Sequence, residues 1–322
     1  MTTMRAAVIN ETGAPDVLVL AEIDMPAKVN AEFLIKVEAA GINPIEAKTR
    51  AGRGVIAGIR NFPAVLGSDF SGVVVEAPYE AHPFQPGTEV YGMAPAPRVA
   101  SGSYAEYIAV QALSVAKKPA NLSHVEAAGV PLAAMTAWGA VVDVARAHEG
   151  QRILIHAGSG GVGHFAVQFA AYFGAHVIAT GSTRNLGWLR DLGATEVIDY
   201  TSTRFEQQVS DVDAVIDLIG NVHDDTGTRS LATMRPGGLL VNVPTGSWPT
   251  FMTDAAAAGM RSTSYKVSPS ASTLEVITRL IEAGDVRVHV DEVFPLSDAA
   301  EAHQALERGH TRGKIVLAVT ES

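Results

Sequence analysis

Residues 158–163 read Gly158-Ser159-Gly160-Gly161-Val162-Gly163, a G-x-G-x-x-G spacing. Glycines so spaced let a chain turn tightly and bring backbone N–H groups close to a pyrophosphate, whose charge a following helix N-terminus favours. Glycine makes up 30 of 322 residues, so the spacing alone is weak and its flanks decide. "RILIHA" before it reads as a buried strand. "VGHFAVQFAAYFG" after it carries Val162, Phe165, Ala166 and Phe169 on one helical face. Strand, turn and helix together point to a bound dinucleotide.

The next strand indicates which dinucleotide. A site for NAD places a carboxylate about 20 residues beyond the first glycine, on the ribose 2′-hydroxyl. Here that strand ends "HVIATGSTRN", offering Ser182 and Arg184 and no carboxylate. A hydroxyl and a guanidinium suit a 2′-phosphate, so NADPH is the expected cofactor. Tyr200, closing "EVIDY", is expected beside the adenosine phosphate. Ile219 and Gly220 after "VIDL", and Val243, Pro244 and Thr245 after "PGGLLVN", fall at carboxyl ends of strands, the edge where open sheets bind ligands.

These residues need a scaffold, and the middle third supplies it. Strands are expected at 152–157, 176–181, 196–200, 213–219, 239–243 and 263–267. Helices are expected at 162–173, 184–192, 203–209 and 226–234. Such alternation implies right-handed crossovers and a six-stranded, doubly wound parallel sheet in an α/β protein. The first hundred residues instead give short apolar runs broken by Gly, Pro and Asn, as in a β-rich unit. The last fifty give two helices and two strands.

Composition narrows the function. The formal net charge is −10, which argues against nucleic acid and anionic membranes as partners. No cysteine is present, which removes thiol catalysis and cysteine-ligated zinc. The first twenty residues show no basic segment followed by a long apolar run, and a cytoplasmic protein is expected.

An ordered set of motifs, "AAGINPIEAKTRAG", "FPAVLGSDFSGVV", "GSYAEYIAV", "AMTAW", "HAGSGGVG", "LGATEVIDY", "MRPGGLLVNV" and "HTRGKIVL", resembles the medium-chain dehydrogenase/reductase superfamily, in its zinc-free NADPH:quinone oxidoreductase branch. The resemblance spans essentially the whole chain. It implies a GroES-like β-rich catalytic domain from residues 1–122 and 268–322, a Rossmann domain at 123–267, and an active site between them. Zinc-dependent relatives carry cysteine where this chain has Asn43, and His-Glu where it has Ser68-Asp69. Their structural zinc lobe would fall between Met93 and Tyr104, where no cysteine stands.

Without a Lewis acid, hydride transfer suits acceptors that are already electron-poor, namely quinones and α,β-unsaturated carbonyls. Asn43 and Thr136 are the expected catalytic residues, the first to donate to a substrate oxygen or fix a ribose hydroxyl, the second facing the nicotinamide by resemblance. Ile45, Asp69 and Tyr91 are expected to shape the substrate pocket, with Glu46 and Lys48 as weaker candidates. In this family Arg312, Gly313 and Lys314 would reach toward the cofactor, and relatives pair as homodimers through a strand at about 260–267. Two other readings stand beside this one: an enoyl-thioester reductase, for which Arg50, Arg53 and Arg60 would meet a carrier phosphate, and a non-catalytic NADPH-binding sensor.

Overall fold

The computed structural model describes residues 2–29, 31–95 and 102–320. The chain forms two compact units, one of Met1–Met135 with Ser268–Ser322 and the other of Thr136–Val267.

The first unit opens with β1 (Thr3–Ile9) and β2 (Leu18–Asp24), an antiparallel pair. β3 (Glu32–Ile42) follows and is the longest strand. Its alternating Phe33, Ile35 and Val37 are fully buried, as the two-residue strand period requires of a core-facing side. α1 (Pro44–Arg50) starts where β3 ends. Asn43 has extended backbone, Pro44 takes the first helical position, and Glu46 accepts the Asn43 backbone N–H at 2.9 Å. Proline at the first position and a glutamate at the third are helix-start signals. β4 (Ala64–Val65), β5 (Asp69–Glu76), β6 (Glu89–Met93), β7 (Tyr107–Gln111) and β8 (Val115–Lys117) complete the strands of this half. α2 (His124–Ala128) and α3 (Pro131–Trp138) follow. Residues 123–135 lie with this unit, where α2 packs on β3 and β5.

The second unit runs β9 (Arg152–Ile155), α4 (Gly161–Tyr172), β10 (His176–Gly181), α5 (Leu186–Asp191), β11 (Glu196–Asp199), β12 (Val212–Asp217), α6 (Thr226–Leu231), β13 (Met234–Asn242), α7 (Phe251–Ala257) and β14 (Arg261–Ser264). The six strands are parallel, in the order β11-β10-β9-β12-β13-β14. That is the 3-2-1-4-5-6 order of a dinucleotide-binding sheet. Strand number and alternation follow the sequence reading, but several bounds shift: β13 begins at Met234 rather than 239, and the helix expected at 226–234 ends at Leu231. The helix expected at 203–209 is a single 3-10 turn, Phe205–Gln207. Only Phe205 and Val209 are buried there, too few for a packed helical face. The last strand lies at Arg261–Ser264, earlier than the expected 263–267, because it pairs in register with Leu239–Asn242 of β13.

The chain then returns to the first unit through α8 (Ala271–Ala283), β15 (Val290–Pro295), α9 (Ala299–Glu307) and β16 (Lys314–Ala318). β16 pairs antiparallel with β3, Ile315 opposite Ile42. This register brings Lys314 beside Asn43. Among the described residues no helix is long and apolar enough to cross a membrane.

Candidate active site

In the first unit, four charged or amide side chains converge where β3 ends and β16 begins. Lys314 Nζ donates to Ile42 O at 2.9 Å and to Asn43 Oδ1. Asn43 Nδ2 donates to Asp69 Oδ2 at 3.0 Å, and Lys314 Nζ lies 3.6 Å from the same oxygen. Asp69 Oδ1 accepts the Leu132 backbone N–H at 2.8 Å. Ser68 Oγ donates to Glu46 Oε1 at 2.7 Å. Asn43, Glu46, Asp69 and Lys314 are all buried. Gly313 makes the turn into this network possible. Its φ is +68°, and a Cβ there would stand 2.3 Å from His289 O.

Burial sets the proton affinities. It pushes the Glu46 carboxyl up to about 7, against the Ser68 hydrogen bond, which pulls the other way. It also pushes Asp69 up, opposed by the Lys314 charge, and pushes Lys314 down, opposed by Asp69. The network therefore holds ionisable groups in a medium where charge is costly, with Asp69 and Lys314 each offsetting part of the other's burial.

The same residues do not fit zinc. Zinc takes thiolate, imidazole or carboxylate ligands in a tetrahedral set. Asn43 Oδ1 is bound by an ammonium, Ser68 is a hydroxyl that donates to Glu46, and Asp69 is the one carboxylate among these three. Among the described residues no three His, Cys, Asp or Glu side chains converge. Most of the stretch expected to lack a structural zinc lobe, residues 96–101, lies outside the described residues.

In the second unit, the glycine turn links β9 to α4. A Cβ at Gly163 would stand 2.1 Å from Ala157 O, so this glycine lets the helix pack on the turn. A Cβ at Gly160 would meet nothing nearer than Ala157 O at 3.4 Å. The backbone there is open to a close-approaching ligand, with the α4 N-terminus behind it. This cradle fits the pyrophosphate of a dinucleotide. Ser159 and Val162 are half-buried beside it, next to Gly158 and Gly161.

The end of β10 adds polar groups. Asn185 Nδ2 donates to Ser159 Oγ at 3.1 Å and to Ser182 Oγ at 3.2 Å. The Tyr200 backbone N–H donates to Gly181 O at 3.2 Å, and the Tyr200 side chain is exposed. Arg184 is exposed on the same turn. A carboxylate does occur nearby, one strand over. Asp199 takes hydrogen bonds from Thr183 Oγ1 (2.5 Å), Thr201 Oγ1 (2.6 Å) and Thr201 N (2.9 Å). These hold its charge below the usual carboxylate range.

The remaining expected residues are placed as follows. Ile219 and Gly220 donate their backbone N–H groups to Asp217 Oδ1, at 2.9 and 2.8 Å. Asn242 Nδ2 donates to Asp217 Oδ2 at 2.9 Å, so one buried carboxylate shapes the turn and ties it to β13. Val243, Pro244 and Thr245 continue from β13, with Val243 O accepting Lys266 Nζ at 3.0 Å. Thr136 is buried on α3. Ile45 and Lys48 are half-buried on α1. The Arg312 backbone N–H is held by Asp291 at 2.9 Å. Tyr91 is fully buried on β6, its hydroxyl against Leu274 O and Thr278 Oγ1 of α8, apart from the Asn43 network. Arg50 is also buried, bonded to Glu307, and so is not a surface cation for a carrier phosphate. Sequence reasoning missed Asn185, although its position three residues after Ser182 was a usable signal. It also gave little weight to Glu46, although Asn43-x-x-Glu46 is a helix-start pattern.

Comparison with known proteins agrees with this architecture. Residues 29–120 match the alcohol dehydrogenase GroES-like domain, and residues 192–317 match the zinc-binding dehydrogenase domain. The chain is 34% identical to the NAD(P)H oxidoreductase RTN4IP1, mitochondrial, of Danio rerio, covering 99% of this chain and 92% of that protein. It is 35% identical to the NADPH-dependent alkenal/one oxidoreductase, chloroplastic, of Arabidopsis thaliana, over 98% of this chain and 79% of that one. The solved quinone oxidoreductase from Coxiella burnetii superposes with a TM-score of 0.93 at 36% identity, covering 99% and 100% of the two chains. The fold is that of an oxidoreductase with a GroES-like domain and a Rossmann domain. The chain belongs to the medium-chain dehydrogenase/reductase family and is quinone-oxidoreductase-like.

Proposed function

We propose that this protein transfers a hydride from NADPH to a quinone or another α,β-unsaturated carbonyl, without zinc. The observation that carries the reading is the Lys314 ammonium fixed between Asn43 and Asp69. A protein cation and an amide occupy the position where zinc-dependent relatives keep metal ligands, so the acceptor must bring its own activation. The hydroxyl of Ser182 and the guanidinium of Arg184 favour a phosphorylated dinucleotide. The names of the Arabidopsis and Coxiella relatives point to enones and quinones as acceptors.

When bound, the reduced nicotinamide supplies the hydride. Reduction of a conjugated acceptor at carbon leaves negative charge on its oxygen. An Asn43 N–H is the assigned donor to that oxygen, and the buried positive charge of Lys314 favours the anion. Thr136 is assigned to orient the nicotinamide, Ile45 to line the acceptor site, and Asp69 to hold Asn43. Val162, Ile219, Gly220, Val243, Pro244 and Thr245 are assigned to the cofactor. β14, at the edge of its sheet, is the proposed seam of a homodimer.

The test is steady-state oxidation of NADPH with 1,4-benzoquinone and with a simple enone. Turnover of either supports the reading. Micromolar NADPH binding with no turnover of either would favour a sensor.

A further inference from the structure

Asn185 is buried, and its one side-chain nitrogen reaches two hydroxyls on different segments. Ser159 belongs to the glycine turn and Ser182 to the end of β10. The amide nitrogen carries two hydrogens and cannot accept. Both serine oxygens must therefore accept from Asn185, and each hydroxyl hydrogen points elsewhere. Among the described residues neither hydroxyl gives its hydrogen to a protein acceptor. Both serines are half-buried at the ligand edge of the sheet rather than deep in the core. Ser182 precedes a short 3-10 turn yet makes no side-chain cap to it.

We infer that Asn185 is a positioning residue that polarises Ser159 and Ser182 into hydrogen-bond donors toward phosphate. This rests on the proposed NADPH reading. Ser159 lies at the pyrophosphate cradle and would donate to an oxygen common to NADPH and NADH. Ser182 lies beside Arg184 and Tyr200 and would donate to the 2′-phosphate, which NADPH alone carries. A hydroxyl is otherwise free to rotate and can present a lone pair to an anion as readily as a hydrogen. Occupying one of its two lone pairs polarises the O–H and biases that choice toward donation before the ligand arrives. Asn185 thereby links general affinity and 2′-phosphate preference through one nitrogen.

Asn185→Asp reverses the polarity at nearly constant shape. The carboxylate would accept both hydroxyl hydrogens and leave lone pairs facing the phosphates. The measurement is the dissociation constant for NADPH and for NADH by titration calorimetry, on the full chain, beside thermal melting. We expect NADH to weaken about tenfold and NADPH about a hundredfold, since each charge-assisted hydrogen bond contributes about that factor. In a Ser182→Ala background, the uncharged Asn185→Leu should weaken the two cofactors by the same factor, whereas Asn185→Asp still repels the 2′-phosphate through its charge. Asn185→Leu, which removes the donor without adding charge, should show the same pattern more weakly and serves if the aspartate variant does not fold. Equal weakening of both cofactors in the unaltered background, or a preference effect of Asn185→Leu that is unchanged after Ser182→Ala, would overturn the assignment. If the unaltered protein shows no preference for NADPH, the NADPH reading fails. The Ser159 arm is then judged alone, and it fails only if Asn185→Asp leaves NADH binding unchanged.

Discussion

Lys314 and Asn43 lie 271 positions apart in the chain and are joined by a hydrogen bond from the ammonium to the amide oxygen. That bond turns Asn43 Nδ2 toward Asp69, 3.0 Å away. The three side chains form a unit in which each fixes the next. Lys314→Met should therefore do more than remove a charge. It leaves Asp69 buried without its cation, a change that costs about 3–5 kcal/mol. The urea midpoint should fall accordingly, and an unchanged midpoint would contradict the pairing. Asn43→Ala leaves the Asp69–Lys314 pair in place and should cost less stability than Lys314→Met, while lowering kcat about 100-fold, as expected for the loss of one donor to a developing oxyanion.

Glu46 predicts a pH dependence with a definite sign. Its folded-state value, about 7, lies above the ordinary 4.5 because the carboxyl is buried. The folded state thus holds a proton that the unfolded state has released. The stabilisation it brings is fully present below pH 4.5 and is lost as pH rises through about 7. Glu46→Gln cannot lose that proton. Relative to the unaltered protein, it should gain about 3 kcal/mol between pH 4 and pH 8. Denaturant titrations at both pH values measure this, and parallel stabilities for the two proteins would contradict it.

Two buried histidines work in the opposite direction. Burial pushes His156 down to about 4 and His303 down to about 3. Their contribution is present above pH 6.5 and is lost as pH falls through those values. His303→Phe should accordingly resist acid unfolding better than the unaltered chain, at some loss of the Tyr104 contact. Acid titration followed by circular dichroism checks the midpoint, which should move down. A midpoint that stays or rises would contradict the burial effect.

Arg184→Glu should weaken NADPH about 100-fold and NADH by much less, because a fork of charged donors is replaced by a like charge beside the 2′-phosphate. Fluorescence titration with each cofactor separates the two. Equal losses would remove Arg184 from the 2′-phosphate site.

Dialysis against a strong chelator should leave the rate of NADPH oxidation by an enone unchanged within error. Loss of activity restored by zinc would show that the Asn43–Asp69–Lys314 network is not the whole of the acceptor site.

Much of the second unit was legible because its signals are local. Strand, glycine turn and helix sit within a short stretch, and apolar period alone distinguishes β10 from α4. The first unit was harder. Asn43 and Ser68-Asp69 could be singled out by what they lack, but nothing near Lys314 says that it meets Asn43. That contact comes from the pairing of β16 on β3, Ile315 opposite Ile42, a long-range register that sequence periodicity does not carry. Tyr91 illustrates the converse. An aromatic residue on a strand reads equally well as a pocket wall or as core, and its hydroxyl is used by α8. Asn185 was passed over because its work is done between two segments, each of which was read on its own.

The most direct measurement follows a label from cofactor to product. Chelator-treated protein is mixed with an enone and NADPH deuterated at both C4 positions, and the product is read by NMR. The account predicts a saturated ketone with one deuterium on the former β-carbon. An allylic alcohol with deuterium on the carbonyl carbon, or no product from either this enone or 1,4-benzoquinone, would contradict it.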